Sequence, residues 1–167
     1  MKSVLRSVKP YWFYLICEGK KKVEVCKTEP LSKEWDRIVY LYCSKDMHSF
    51  KRIPEQYREK YRKYLGTVGA YFYCYGIMDI SSDYAPVGSC LTSEELMQYG
   101  KGKTLSGLCF RKINVFENPR ELSDFKTPEK WSHMVVKHNN SLTFIDGFVG
   151  GEPLKRAPQS WQYVEEI

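Results

Sequence analysis

The chain has 167 residues, of which 43% are hydrophobic, 28% charged and 15% aromatic, with a formal net charge of +6. That length and balance fit one soluble globular domain able to bury a core, and exclude a disordered chain. No apolar run is long enough to span a bilayer, no signal peptide is recognisable, and no internal repeat or low-complexity linker occurs.

The charge is uneven. Residues 1–66 hold 16 Lys+Arg against 8 Asp+Glu, whereas residues 67–167 hold 10 against 12. A basic half beside a near-neutral half suits a one-sided positive surface for a polyanion. It equally suits a mildly basic soluble protein. Thirteen tyrosines offer flat faces for a core or for stacking on bases. The six cysteines (Cys17, Cys26, Cys43, Cys74, Cys90 and Cys109) form no C-x-x-C pair and no zinc-spaced cluster. They read as reduced, buried thiols of a cytoplasmic protein, with no metal expected.

In chain order, PYWFYLICEG reads as a short helix, with Pro10 at its first position and Gly19 in a left-handed conformation after its last turn. VEVCK alternates as a half-buried strand, and RIVYLYC (37–43) is a second, strongly apolar one. Three lysines, Lys20 to Lys22, therefore fall at a helix-to-strand corner. Alternation puts Val23 and Val25 towards a core, with Lys22, Glu24 and Cys26 on the opposite side. Residues 51–66 read as a basic helix with Tyr57, Tyr61 and Tyr64 on one face. Covering the core is the favoured use of that face over stacking on nucleic acid.

Residues 67–80 form the longest strand-like run, marked by two glycines that suit bends in a curved sheet. Thr92 with Glu95 is a capping box, opening a helix that Gly100 stops. Residues 105–116 read as a further strand, and Asn118–Glu121 as the capped start of a short helix. A hairpin turns at Asn139–Asn140, and WQYV closes the chain as a strand. Six or seven strands with three or four short helices, curved and glycine-marked, predict a closed or nearly closed barrel.

The blocks VLRSVKPYWFYLICEGKKKVEVCKTEP, GTVGAYFYC, LTSEELMQYGKGKTL, FENPRELSDF and APQSWQYVEE together resemble the ASCH domain, a family of the PUA-like barrel superfamily. The signature "S-x-K-P" followed by G-x-K-x-x-E-x-R is matched at Ser7, Lys9, Pro10, Gly19, Lys21 and Glu24. Position 26 departs from it: Cys26 stands where the family usually has arginine, with Lys27 beside it. The resemblance implies an α+β fold, a PUA-like (ASCH) β-barrel with short peripheral helices, over one domain spanning residues 1–167. Residues 51–66 and 132–150 then read as insertions, and the whole looks like a phage or bacterial type.

The family includes RNA-binding modules, domains of transcription coactivators, nucleases and small amidohydrolases that deacetylate acetylcytidine. Fold likeness does not choose among them. In the deacetylating members the catalytic lysine corresponds to Lys21 and a threonine to position 24, where Glu24 offers no hydroxyl. A lysine beside a carboxylate is held charged, a good anion clamp and a poor base. The sequence therefore leans towards binding RNA, or a modified nucleoside or nucleotide. Lys9, Lys21, Lys22 and Lys27 would hold phosphate and Glu24 would accept from a base. Arg156, Gln159, Ser160 and Trp161 at the P-Q-S-W segment suit reading a base edge and face; equally, Trp161 suits plugging the barrel and Gln159 satisfying buried backbone. Two alternatives stay open: a small hydrolase of modified nucleosides or RNA using Lys21 and Glu24, and a protein-interaction domain using the tyrosine helix. His48, His133 and His138 have no partner arrangement, and no P-loop, G-x-G-x-x-G or G-x-S-x-G occurs, so no cofactor is indicated.

Overall fold

The apolar run Ser3–Val8 forms strand β1, and its placement organises everything else. It pairs in parallel with β3 (Arg37–Cys43) and antiparallel with β11 (Trp161–Glu166), so it lies inside a sheet, and the burial of the successive residues Val4, Leu5 and Arg6 shows that both its faces are covered. The structure is a computed structural model describing residues 3–28, 37–81, 84–138 and 141–166. For residues 37, 131–138, 141–149 and 166 the description covers the backbone.

Among the described residues, six strands follow the order β7-β4-β3-β1-β11-β8 and curl into a half-barrel. These include β4 (Val68–Cys74), β7 (Ile113–Arg120) and β8 (Phe125–Lys126). A three-stranded sheet of β2 (Val23–Cys26), β6 (Leu105–Cys109) and β5 (Gly76–Ile80) stands beside it. A hairpin of β9 (Lys130–His138) and β10 (Ser141–Val149) pairs Ser141 with His138. Its expected turn at Asn139–Asn140 lies outside the described residues.

Two runs that the pattern joins are each divided between sheets. Residues 67–80 become β4 and β5, with Cys74 opposite Arg37 in one sheet and Gly76 opposite Cys109 in the other. The run 105–116 likewise breaks after Cys109, and β7 starts at Ile113. Local alternation continues across both bends, so it cannot reveal that the partner strand has changed. The strand count is accordingly higher than the sequence predicts. Gly69 sits at a bulge in β4, where a Cβ would come within 2.5 Å of Tyr64 and 2.6 Å of Phe13. Only a residue without a side chain fits that approach.

Helix α1 (Pro10–Cys17) starts on Pro10 as predicted, and Gly19 takes φ +69. After the short α2 (Met47–Phe50), α3 spans Glu55–Arg62. It is shorter than 51–66 because Pro54, in an extended conformation, occupies its N-cap. Tyr61 and Tyr64 are buried in the main core with Phe13, Tyr14 and Phe72, so the tyrosine face covers the core. Helix α4 (Ser93–Gly100) has the predicted Thr92–Glu95 capping box, but the left-handed residue is Lys101, at φ +50. Gly100 is instead buried against Leu105. The helix expected from Asn118 is a 3-10 turn, Leu122–Asp124, capped by Glu121 and Asp124, because residues 118–120 stay in β7.

Candidate functional site

The lysine triplet has three different fates, set by how α1 ends. The Leu15 carbonyl accepts from both Lys20 N and Lys21 N, folding the chain back over the last turn. Lys22 N and Val23 N then both donate to the Gly88 carbonyl, which seats the 86–91 loop against the corner. Lys20 is left exposed and donates to the Tyr14 hydroxyl at 3.0 Å. Lys22 is exposed and donates to the Arg111 carbonyl at 3.3 Å. Lys21 is turned inwards and is 2% exposed.

Beside Lys21 lies Glu24, 6% exposed, and beside that Arg6, 5% exposed. Glu24 divides its carboxylate between two cations: Oε1 accepts from Arg6 Nε at 3.0 Å, and Oε2 lies 3.5 Å from Lys21 Nζ. Lys21 also donates to the Ser89 carbonyl and sits 5.2 Å from the centre of the Trp12 ring. Arg6 further donates to the Val25 carbonyl at 3.0 Å and to Ser160 Oγ at 3.4 Å, and the Tyr99 hydroxyl lies within its electrostatic reach. Two buried cations therefore share one buried carboxylate.

The expectation that Glu24 and Cys26 face away from the core is overturned. Val23 and Val25 pack with Ile80, Leu96 and Leu105, while Cys26 is buried in the main core. The edge strand β2 is covered on both faces, one by α4 and one by the half-barrel, which alternation in four residues cannot distinguish from one-sided burial. The pull of Glu24 on the Lys21 proton is opposed. Burial pulls its proton affinity below the ordinary lysine value, the charge of Glu24 pulls it back up, and Arg6 pushes it down; the net direction is down. Burial is the largest influence on the Arg6 guanidinium and acts against it, yet the charge and hydrogen bond of Glu24, with the smaller influence of its other neighbours, outweigh it together, and Arg6 holds its proton more tightly than usual. The Tyr99 hydroxyl is shifted up by burial, against the pull of Arg6.

The remaining expected residues are spread around this cluster. Lys27 lies 4.8 Å from the centre of the partly exposed Tyr99 ring, on the rim. Trp161 is half-buried against the main core, and its Nε1 donates to Thr28 Oγ1 at 3.1 Å. Gln159 and Arg156 are exposed on the segment leading into β11. Lys9 is not part of the cluster: at the start of α1 it pairs with Asp46, the N-cap of α2, at 3.2 Å. His48 is exposed on α2, and the side chains of His133 and His138 lie outside the described residues. Among the described residues no group of three or more His, Cys, Asp or Glu is placed to hold a metal. The sequence reading missed Arg6, Trp12, Ser89 and Tyr99. For Arg6 a signal existed, a lone cation inside the apolar run Val4–Val8.

No protein-family model and no curated protein matches this sequence. Among solved structures the chain is similar to the ASCH protein of Zymomonas mobilis, at TM-score 0.54 and 17% identity, over 72% of this chain and 74% of that one. Two single-residue variants of that protein match at TM-score 0.55, one at 16% identity over 73% and 77%, the other at 17% over 72% and 75%. Likeness at this identity establishes the fold. This chain has the α+β half-barrel fold of those ASCH structures, as its sequence blocks lead one to expect.

Proposed function

We propose that this protein binds RNA, or a modified nucleotide, at the face around Arg6, Lys21 and Glu24. The observation that carries the reading is the charge imbalance of two buried cations against one buried carboxylate. A buried charge without a counter-charge is costly, and a phosphate oxygen reaching Lys21 in place of the Ser89 carbonyl balances it. Lys27 and Lys22 at the rim add long-range attraction, and Tyr99, Trp12 and Trp161 offer rings on which a base can stack. Six free thiols suit a reducing compartment, and we place the protein in the cytoplasm.

The test is fluorescence anisotropy of a short labelled single-stranded RNA at low and moderate salt, wild type beside Lys21→Met and Lys22→Ala. Binding that weakens with salt and falls at least about tenfold in Lys21→Met supports the proposal. Unchanged affinity in Lys21→Met overturns it.

A second reading, hydrolysis of RNA or of a modified nucleoside, is favoured by the lowered proton affinity of Lys21. A neutral amine can take a proton from an attacking hydroxyl or water, with the Glu24 carboxyl group beside it. Product detected by mass spectrometry and lost in both Lys21→Met and Glu24→Gln supports that reading. Turnover that persists in both variants removes it.

A further inference from the structure

We propose that Arg6 is the positioning arginine of this site, supplied from β1 into the space beside Cys26, where the signature strand itself carries none. Its role rests on the reading of Lys21 and Glu24 as the ligand site, while its placement stands on geometry alone. A guanidinium inside an apolar strand is costly unless its donors are used, and here they are. Arg6 reaches Glu24 and Val25 on β2 and Ser160 at the entry to β11. β1 and β2 belong to different sheets, so Arg6 ties the half-barrel to the three-stranded sheet at the point where Lys21 enters.

Position 26 completes the argument. Cys26 lies two residues after Glu24 on the same side of β2; it is fully buried, and its thiol donates to the Ser106 carbonyl at 3.3 Å. A second arginine there would crowd one fully packed space with two like charges. The guanidinium is thus delivered by one strand or by the other, and this chain uses β1.

The consequence for the site is orientation. By taking Oε1 through Nε, Arg6 turns the carboxylate so that Oε2 faces Lys21. A lysine at position 6 has no planar fork with which to fix that rotation while bonding Val25. The groups facing Lys21 are Glu24 from β2, Arg6 from β1 and Cys90 from the 86–91 loop. Of these, Arg6 is the one that repels a proton from the Lys21 amine.

The experiment compares the full-length chain as wild type, Arg6→Leu, Arg6→Lys, Cys26→Arg and the double variant Arg6→Leu/Cys26→Arg. Thermal midpoint, NMR titration of the Lys21 side chain and single-stranded RNA affinity are read for each. Arg6→Leu should lower the midpoint, move the Lys21 titration up towards its ordinary value, and weaken RNA binding about tenfold or more. Arg6→Lys should recover only part of this, and Cys26→Arg alone should lower the midpoint. The double variant should recover the midpoint, the Lys21 titration and affinity to within about threefold of wild type. If Arg6→Leu does not fold, recovery of folding in the double variant supports the proposal equally. A double variant no better than Arg6→Leu, or a Lys21 titration unmoved in a folded Arg6→Leu, overturns it. If wild type binds no RNA, the binding reading fails, and the midpoint and titration still decide the role of Arg6.

Discussion

Two carboxylates in this molecule each meet a lysine, and they do different things. Glu18, just past the end of α1, accepts from Lys60 Nζ and from the Tyr61 hydroxyl, both at 2.7 Å, at the edge of the tyrosine helix. Lys60 there is largely exposed, and its bonds to Glu18 raise its proton affinity. Glu24, six residues on, meets Lys21 away from water, and that lysine's proton affinity falls. The same pair of residue types gives a clamp between helices in one place and a polarised ionic cluster in the other. What differs is solvent: desolvation outweighs the attraction of the partner only where water is excluded.

The largest test of that contrast is Glu24→Gln beside Glu18→Gln. Removing Glu24 leaves two buried cations facing each other and should cost about 3–5 kcal/mol by denaturant unfolding. Removing the Glu18 charge should cost about 1 kcal/mol, since neighbouring water takes over part of its bonding. Equal losses would break the comparison.

Lys21→Met sharpens it by separating stability from function. It removes the surplus charge and fills the space with a side chain of similar length, so unfolding free energy should stay within about 1.5 kcal/mol of wild type or rise. A collapse of the fold would show that Lys21 serves structure. Its titration sets a sign as well. Folded Lys21 holds a proton less tightly than an unfolded lysine, whose ordinary value is 10.5. Between the two values the unfolded chain carries the extra proton, so this group makes stability rise with pH across that window, and at lower pH its burial cost is fully present. The rise should be absent from Lys21→Met.

Tyr61→Phe is smaller, about 1 kcal/mol for one hydrogen bond to a carboxylate, with the Glu18 carboxyl moving up towards its ordinary 4.5. Glu18 sits below that value because Lys60 and Tyr61 hydrogen-bond to it. Its contribution is present above the unfolded value and lost as pH falls through the folded one, and Tyr61→Phe should narrow that acid-side loss. Smallest of all is Arg62→Ala, which breaks the exposed pair with Glu59 at 3.3 Å and should change stability by less than about 0.5 kcal/mol.

Much of the site's framework was legible along the chain. Pro10, Gly19, the Thr92–Glu95 box and the tyrosine face of α3 act within a few residues, and each is found where local geometry requires it. Lys21 and Glu24 were singled out as the important pair, and they do meet. Lys9 was grouped with them as part of the same signature, but the whole of α1 stands between, and Asp46 claims it. Tyr99 and Ser89, some seventy residues away, carried no mark of their role.

The sequence by itself determined helices α1, α3 and α4, the Pro10 start and the Thr92–Glu95 cap, the main strand runs and the blocks that resemble an ASCH domain, because these follow from side-chain spacing and backbone preference over short spans. Only the tertiary structure decided where the long strand runs change sheets, and which of three consecutive lysines is buried. It also decided that the arginine beside Glu24 comes from position 6. Those outcomes depend on which distant surfaces exclude water from a given atom, and that exclusion exists only once the chain has closed on itself.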